Sequence, residues 1–424
     1  MSLITLLISF AFLMVIGTPI AFAMGISSFL VLFSSGIVPL VVIPQRIIIA
    51  LDSFPLLAVP LFVLTGEIMN VTGITTRLID LANALIGHVA GGLSYVNVLA
   101  SMFFAGVSGS STADAAGIGR ILVPAMINEG YDEDISLSVT AASATIGPII
   151  PPSITMVIYS SMTGLSIGRL FLAGIIPGIL FGISQMIVCW CYTIKRHYPQ
   201  KKRKSIKEVQ QAFVGAILPL FTPIIVLFGI VGGMFTATEA GAIAVVYSLI
   251  LGVLYKKITI KGIYDALLET GLRSSIVLLI IAFSSIFGWI LAIEQFPLVI
   301  VNYLTLISSD PTIIYLLIIL GFLIVGMFLE GLAAMIILVP ALVPIASRFG
   351  FEPLHFALII ILCLAIGGIT PPVGILLFTT CGVNNLPLKK VGNIIWVFAF
   401  AMLLVVLLVT FFPSLITFIP NKFM

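Results

Sequence analysis

Two stretches rich in glycine and proline could open the backbone of this chain and offer carbonyl oxygens to a cation. Residues 146–153 read IGPIIPPS and residues 366–374 read IGGITPPVG, each inside a long apolar run. Proline lacks a backbone N–H and clashes with the preceding turn, so a helix must break at each Pro-Pro pair. In a membrane, an opened backbone is tolerated only where protein buries it or where it lines a watery cavity. Paired breaks in the two halves of a chain therefore predict the binding site of a transporter.

A hydroxyl-rich segment lies upstream of the first break. Residues 106–112 read GVSGSST. Sodium is a hard cation that takes oxygen ligands, and unwound carbonyls at half-helix ends can supply them. We predict one sodium ion between this segment and the break at 145–150. The ligands that we expect are Ser108, Ser110, Gly147 and Ile150.

The second break has a less polar partner segment. Residues 326–335 read GMFLEGLAAM, in which Glu330 is the single acid. We predict a second sodium ion between 326–330 and 367–373, so we expect at least two sodium sites. The predicted ligands of the second ion are Gly326, Glu330, Gly367, Thr370 and Val373.

The serines around the first break could also bind an anionic substrate. Half-helix N-termini present free backbone N–H groups that favour negative charge. We predict substrate contacts at Ser108, Ser110, Ser111 and Ser153, with Ser108 and Ser153 as the best ligands of a carboxylate. The alternative is that these small residues only permit close helix packing, as they do in many membrane proteins.

Charged residues within apolar segments are functional candidates by default. Asp114 and Arg120 follow the hydroxyl-rich segment and lie six residues apart. They could pair through a neighbouring side chain or gate the anion, and a structural role at a helix contact is an equal alternative. Glu67 lies near a helix end, where we expect a role in the scaffold rather than in substrate binding.

The composition requires a membrane protein. Of 424 residues, 61% are hydrophobic and only 8% are charged, whereas a soluble domain carries about 25% charged residues. The cations cluster at 195–207, which the positive-inside rule places in the cytoplasm. We expect lipid to surround the chain and expect no nucleic acid as a partner. We predict apolar spans or interrupted helices at 2–20, 22–44, 53–70, 134–162, 168–194, 211–233, 238–255, 355–383 and 391–419. An amphipathic piece and a helix are predicted to cover 262–293.

The two halves of the chain repeat the same plan. A shift of 220 residues places Gly106 on Gly326 and the pair Pro151 and Pro152 on the second Pro-Pro pair. In each half, two half-length segments precede the break, at 92–128 and 312–347, which predicts a re-entrant hairpin because each half is too short to cross the bilayer core. The basic loops then orient the repeats oppositely and leave both termini in the periplasm.

The predicted fold class is an all-α integral membrane protein with inverted repeats, two re-entrant hairpins and two broken helices. Six segments are expected. They are 1–90 (scaffold helices and an interfacial arm), 91–163 (first half of a transport domain), 164–210 (a linking helix and the basic loop), 211–310 (scaffold helices and a second arm), 311–385 (second half of the transport domain) and 386–424 (a C-terminal helix).

These motifs resemble the large membrane subunit of the tripartite ATP-independent periplasmic (TRAP) transporters over essentially the whole chain. The most specific stretch is FAGVSGSSTADAAGIGRILVPAMINEGYDEDISLSVTAASATIGPIIPPS at 103–153, with GGITPPVG at 367–374 as its counterpart. The resemblance implies an elevator-type carrier in the bacterial inner membrane that imports an organic acid with sodium. It also implies two partners, a periplasmic substrate-binding protein and a small four-helix membrane subunit. We expect that subunit to be a separate chain, because the sequence starts directly with the large subunit.

The resemblance favours sialic acid as the substrate, with a C4-dicarboxylate as the alternative. A stand-alone sodium/dicarboxylate carrier of the same architecture is a second alternative. A channel is a third, although a pore would not need two hairpins with polar tips. A remote one is an intramembrane serine protease, because residues 106–109 read GVSG, but a nucleophilic Ser108 would need a base within reach. We therefore predict no enzymatic activity.

Overall fold

The computed structural model describes residues 2–36 and 39–424 and shows helices joined by turns, with no strand in these ranges. Eight helices in the described part of the chain are long and apolar enough to cross a membrane. The all-α prediction is therefore confirmed. Helix pairs and helix breaks also lie where the sequence predicts the hairpins and the broken helices. The two arms of the second hairpin, with 18 residues each, are among the eight helices long enough to cross, so its re-entrant path stays a prediction.

Five helices precede the first hairpin, and a 3₁₀ turn at Phe54–Leu57 leads into the fourth. The predicted span at 22–44 is wrong, because its helix ends at Ser35 and Gly36 adopts a left-handed φ of 61° there. A separate short helix follows and carries Arg46, whose guanidinium stacks over Trp289 at 4.9 Å. Residues 37 and 38 of that predicted span lie outside the described residues. The five helices are α1 (Ser2–Val15), α2 (Ile20–Ser35), α3 (Val42–Leu51), α4 (Ala58–Val71) and α5 (Ile74–Ile86).

The first hairpin and the first broken helix form because polar caps start each half-helix at the predicted place. Gly109 ends the first arm of the hairpin in a left-handed conformation with φ 60°. The Ser110 hydroxyl then caps the return arm by accepting from the Ala113 N–H, and side-chain oxygens at such positions satisfy otherwise unpaired N–H groups. The elements are α6 (Gly92–Ser108), α7 (Ser111–Asn128), α8 (Glu133–Ala144), α9 (Ile154–Thr163) and α10 (Ile167–Arg196).

The second half follows the same order with two differences from the sequence prediction. The region at 262–293 forms one continuous helix rather than an amphipathic piece and a helix. The last predicted span ends at Phe411, and a short helix begins after Pro413. The elements are α11 (Ile206–Val231), α12 (Ala237–Leu254), α13 (Ile260–Ile293), α14 (Phe296–Ile307), α15 (Pro311–Phe328), α16 (Gly331–Arg348), α17 (Pro353–Gly367), α18 (Ile375–Val383), α19 (Ile394–Phe411) and α20 (Ser414–Phe423).

The helices pack as two groups. We call α1–α5 with α11–α14 the outer bundle, because α4 packs on α12 and α13, and α13 packs on α2 and α3. We call α6–α10 with α15–α20 the hairpin bundle, in which α8 contacts α6, α7 and α19, and α17 contacts α15, α16 and α19. The deepest core lies in the hairpin bundle, where every residue of α17 from Leu354 to Gly367 is buried. The assignment of these groups to a scaffold and a transport domain remains a prediction.

Candidate transport site

Both hairpin tips and both helix breaks border one cavity of about 330 Å³. Residues 108–113 of the first tip and 330–332 of the second tip line it, together with Pro148 of the first break and Gly368 of the second. The outer bundle closes the opposite wall through α4 and α13. The cavity therefore lies at the contact between the two bundles.

The first tip packs directly on the first break through a glycine. A Cβ atom added at Gly147 would lie 3.0 Å from the Ser110 carbonyl carbon and 2.6 Å from Asp114 Oδ2. The start of α9 joins the same contact, because the Ile154 N–H donates to the Gly109 carbonyl at 3.4 Å. The tip and the break that were predicted to share a cation are thus neighbours.

The second tip and the second break meet in the same way. A Cβ atom added at Gly367 would lie 2.5 Å from the carbonyl carbon of Gly326. The Gly374 N–H donates to the Met327 carbonyl at 3.4 Å. Each repeat therefore brings its predicted pair of backbone segments together. Sodium binding at either pair stays a prediction.

The predicted serines divide into two kinds. Ser108, Ser110 and Ser111 line the cavity. Ser153 is fully buried behind the cavity wall, where its hydroxyl donates to the Pro148 carbonyl at 2.6 Å and accepts from the Met156 N–H at 3.3 Å. The structure therefore gives the Ser153 side chain the role of an N-cap of α9 and does not bring it to the cavity.

The predicted ligands of the second site also differ in exposure. Glu330 lines the cavity at the start of α16, and its carboxylate has no hydrogen-bond or ion-pair partner among the described residues. The Thr370 hydroxyl is instead buried just beyond the end of α17 and donates to the Ile366 carbonyl at 2.7 Å. At the first break, the Ile150 side chain packs against α10 at Gly178. For Ile150 and Val373, only the backbone carbonyl remains as a possible ligand.

Asp114 is the buried acid closest to the first tip–break contact. Its side chain is 1% exposed, and Oδ1 accepts a hydrogen bond from the Ser108 hydroxyl. Oδ2 has no hydrogen-bond partner in the described structure and points at Gly147. Arg120 is exposed on α7 and makes no direct ion pair with Asp114 in the described structure, so pairing through a neighbour, gating of the anion and a structural role all stay predictions. A buried carboxylate without compensation is costly, and a cation beside Oδ2 would neutralise it.

Arg273 is a charged site residue that the sequence prediction did not consider. It lies on α13 and lines the cavity opposite the hairpin tips. Its Nη1 lies 3.3 Å from Glu67 Oε1, and its Nε lies 3.7 Å from Glu269 Oε2. An arginine in a long apolar helix is a signal of function, so the sequence did contain the clue. The planar guanidinium matches a carboxylate in two-point geometry, so Arg273 is a candidate ligand for an organic anion.

Comparisons with known proteins agree with this architecture. The family "Tripartite ATP-independent periplasmic transporter, DctM component" matches residues 7–415. The chain belongs to this family of TRAP transporters. As a DctM-family permease it is a multi-pass protein of the inner membrane, and its relatives are named as transporters rather than enzymes. The protease alternative is thereby excluded, and the predicted family is confirmed.

The relatives of this DctM-family chain are named for different organic anions. It is 41% identical over 381 residues to the sialic acid TRAP transporter large permease protein SiaM of Vibrio cholerae, covering 90% of this chain and 89% of the relative. It is 36% identical over 371 residues to the C4-dicarboxylate TRAP transporter large permease protein DctM of Pseudomonas aeruginosa, covering 87% of each. Among solved structures, the Alcanivorax borkumensis YdaH transporter matches with a TM-score of 0.58 at 13% identity and covers 84% of this chain and 85% of the other. That likeness concerns the fold alone.

Proposed function

We propose that this DctM-family chain is the large membrane subunit of a sodium-coupled importer of an organic acid. The observation that supports the proposal most is the single cavity that both tips, both breaks and Arg273 share. It combines oxygen-rich backbone for a cation with one arginine for an anion. Sodium and substrate would therefore bind within one connected site.

The polar groups of the cavity have separate roles in this proposal. Arg273 attracts the substrate carboxylate, and the N–H groups at the start of α7 add positive dipole to the same site. Ser108, Ser110 and Ser111 orient polar groups of the substrate. Asp114 and the carbonyls at the first break hold one sodium ion, while Glu330 and the carbonyls of the second tip and second break hold another.

Coupling follows from where the cations would bind. Each predicted sodium ion bridges a hairpin tip and the break on which that tip packs. Without the cation, the unpaired Asp114 carboxylate and open carbonyls face each other without compensation, which disfavours the closed tip. Sodium binding would therefore assemble the substrate site, so that substrate and sodium cross together.

We further propose that transport uses an elevator movement of the hairpin bundle against the outer bundle. The cavity lies between these bundles, with the tips on one side and α4 and α13 on the other. Sliding the hairpin bundle would carry the tips and their ligands across the membrane while Arg273 stays with the outer bundle. Because Arg273 does not move with the hairpin bundle, the substrate must leave Arg273 during this sliding movement.

Sialic acid is our preferred substrate, and a C4-dicarboxylate is the alternative. The preference rests on the SiaM relative and on the sialic acid TRAP transporter permease protein SiaT of Haemophilus influenzae, which is 35% identical over 410 residues. A further relative is named for 2,3-diketo-L-gulonate. All these names denote organic acids, which fits one arginine and several hydroxyls. The small four-helix subunit and the periplasmic binding protein remain proposed partners.

Reconstitution tests the proposal. Proteoliposomes would contain this chain with its small subunit, and the periplasmic binding protein loaded with sialic acid or with a C4-dicarboxylate would be supplied outside. We expect uptake that requires an inward sodium gradient and the binding protein. Uptake by this chain alone would contradict the tripartite proposal and favour a stand-alone carrier, and uptake without sodium would contradict the coupling.

A further inference from the structure

Residues 195–207 cover the end of α10, the loop after it and the start of α11. Apart from Lys204, which lies near Glu208, they contain two kinds of cation. The first kind is paired with acids of the loop between α7 and α8. Arg196 contacts Asp132 and Asp134, both at 2.7 Å. Lys201 contacts Glu129 at 2.5 Å. These pairs neutralise the acids that lie nearest to the basic loop.

Further contacts fix the paired part of the loop. The Tyr198 hydroxyl donates to Asp132 Oδ2 at 2.9 Å, and the Tyr198 ring stacks on Tyr131 with centroids 4.5 Å apart. The Gly91 N–H donates to the Pro199 carbonyl at 3.1 Å. The hydrogen bond from Tyr198, together with Arg196, holds the pKa of Asp132 below its usual range. Residues 196–201 are thus anchored on the base of the first hairpin.

The second kind of cation has no acidic partner. Lys195, Lys202, Arg203 and Lys207 are exposed and form no ion pair with any described residue. The closest acid in sequence is Glu208 on the first turn of α11. Its Oε2 accepts hydrogen bonds from the N–H and from the hydroxyl of Ser205, both at 2.7 Å. We call these four cations the free basic cluster.

The free basic cluster lies between the ends of two apolar helices. Ile194 at the end of α10 is 57% exposed, and Ile206 at the start of α11 is 84% exposed. Both helices are long and apolar enough to span a bilayer. The cations at their facing ends and in the loop between them therefore lie at the level of the lipid headgroups on the cytoplasmic side.

We infer that the free basic cluster is a binding site for anionic phospholipid headgroups. Basic segments that flank a spanning helix attract anionic lipids with an appreciable gain for each cation. Arg203 can also hold a phosphate in two-point geometry. A soluble acidic partner fits less well, because the flanking apolar residues keep the cluster at the bilayer surface. The contacts of Arg196 and Tyr198 with Asp132 would hold the cluster in place.

Native mass spectrometry of the detergent-solubilised full chain tests this inference. Micelles would be titrated with phosphatidylglycerol or with phosphatidylcholine, and the bound lipids counted. We expect the wild type to retain phosphatidylglycerol preferentially, and 0.5 M salt to weaken that preference. The double variant Arg203→Gln/Lys207→Gln should bind phosphatidylglycerol more weakly by about fivefold for each cation removed.

The matched control removes two cations that have acidic partners. Lys201 pairs with Glu129, and Lys390 pairs with Glu133 at 2.9 Å, so Lys201→Gln/Lys390→Gln changes the net charge by the same amount. We expect this control to keep the phosphatidylglycerol preference of the wild type. An equal loss in control and test variant would overturn the inference, as would an unchanged preference in the test variant. Size-exclusion profiles of both variants verify that they are folded.

Discussion

At the scale of single residues, Asp114 is the acid of the site whose buried negative charge most needs a compensating cation. Its carboxylate is almost completely buried, with one oxygen bonded to Ser108 and the other without a partner. Burying an ionised group without compensation costs several kcal/mol. A bound cation removes that cost, so Asp114 links sodium binding to the stability of the first tip.

Replacing Asp114 by asparagine removes the charge and keeps the shape. We expect Asp114→Asn to raise the sodium concentration for half-maximal uptake by roughly tenfold. This factor corresponds to the free energy of one charge-assisted contact. Sodium titration of uptake in proteoliposomes measures this. Asp80→Asn is the control, because Asp80 is exposed on α5. An unchanged sodium dependence in Asp114→Asn would show that the first cation does not use this carboxylate.

Arg273 gives the corresponding prediction for the substrate. Because its guanidinium faces the cavity beside Glu67, Arg273→Gln should raise the substrate concentration for half-maximal uptake by about tenfold or more. The change should be smaller for Arg273→Lys, which keeps the charge but loses the planar geometry. Arg348→Gln, at the exposed end of α16, is the control. Equal uptake curves for Arg273→Gln and the control would remove Arg273 from the substrate site.

The sequence identifies residue types at the site better than it identifies their orientation. Ser108, Ser110 and Ser111 line the cavity as expected for substrate contacts. Ser153 and Thr370 do not, since each hydroxyl bonds to a backbone carbonyl nearby. Which way a hydroxyl turns at a break depends on the path of the unwound backbone, and residue types alone do not determine that path.

At the scale of elements, each hairpin rests on its break through a glycine contact. The approach is too close for any side chain, because a Cβ atom at Gly147 would lie within 3.0 Å of the Ser110 carbonyl carbon. Glycine and proline spacing made these elements predictable from the sequence, since it marks where a membrane helix must open. The start of α3 and the end of α19 were missed because a left-handed Gly36 and the turn at Pro413 interrupt runs that remain apolar.

Gly147→Ala tests the importance of this contact. The added methyl group would push the first tip away from the break, so we expect uptake to fall by roughly tenfold or more while the protein still inserts into the membrane. Gly271→Ala on α13 is a matched control, because a Cβ atom there meets nothing within 4 Å. Transport assays and membrane expression of both variants provide the comparison. Normal uptake by Gly147→Ala would show that the tip need not approach the break closely.

Gln185 supports the first break from α10. Its Nε2 donates to the Ala142 carbonyl at 2.9 Å near the end of α8, where helix carbonyls lack intrahelical partners. We expect Gln185→Leu to lower the free energy of unfolding in detergent by about 1 kcal/mol, typical of interhelical hydrogen bonds in membranes. Gln210→Leu near the start of α11, where the side chain is exposed, should change stability less. A denaturant titration followed by helicity compares the two variants.

At the scale of the whole molecule, the elevator proposal requires the two bundles to slide past each other. The bundles touch at Gly288 of α13 and Pro340 of α16, where a Cβ atom on the glycine would lie 3.8 Å from the proline Cβ. This separation is typical of disulfides. A disulfide between these positions would tie the outer bundle to the hairpin bundle without entering the cavity.

We expect Gly288→Cys/Pro340→Cys to lose uptake on oxidation and to regain it on reduction, in a Cys191→Ser background. The control pair is Val71→Cys/Gly262→Cys between α4 and α13 of the outer bundle, where the corresponding separation is also 3.8 Å. That pair should stay active when oxidised. Gel mobility and uptake, measured on the same samples, check both results. Full transport by the oxidised, cross-linked pair would contradict a sliding movement of the bundles.

The anchored loop after α10 has a mechanical consequence for such a movement. Lys201 is tied to the hairpin bundle through Glu129, and α11 of the outer bundle begins at Ile206. The chain between these two residues reaches at most about 17 Å when fully extended. It acts as a short tether, so the two anchor points can never lie farther apart than this in any state. A longer stroke at this point would have to break the Lys201–Glu129 pair or unwind the first turn of α11.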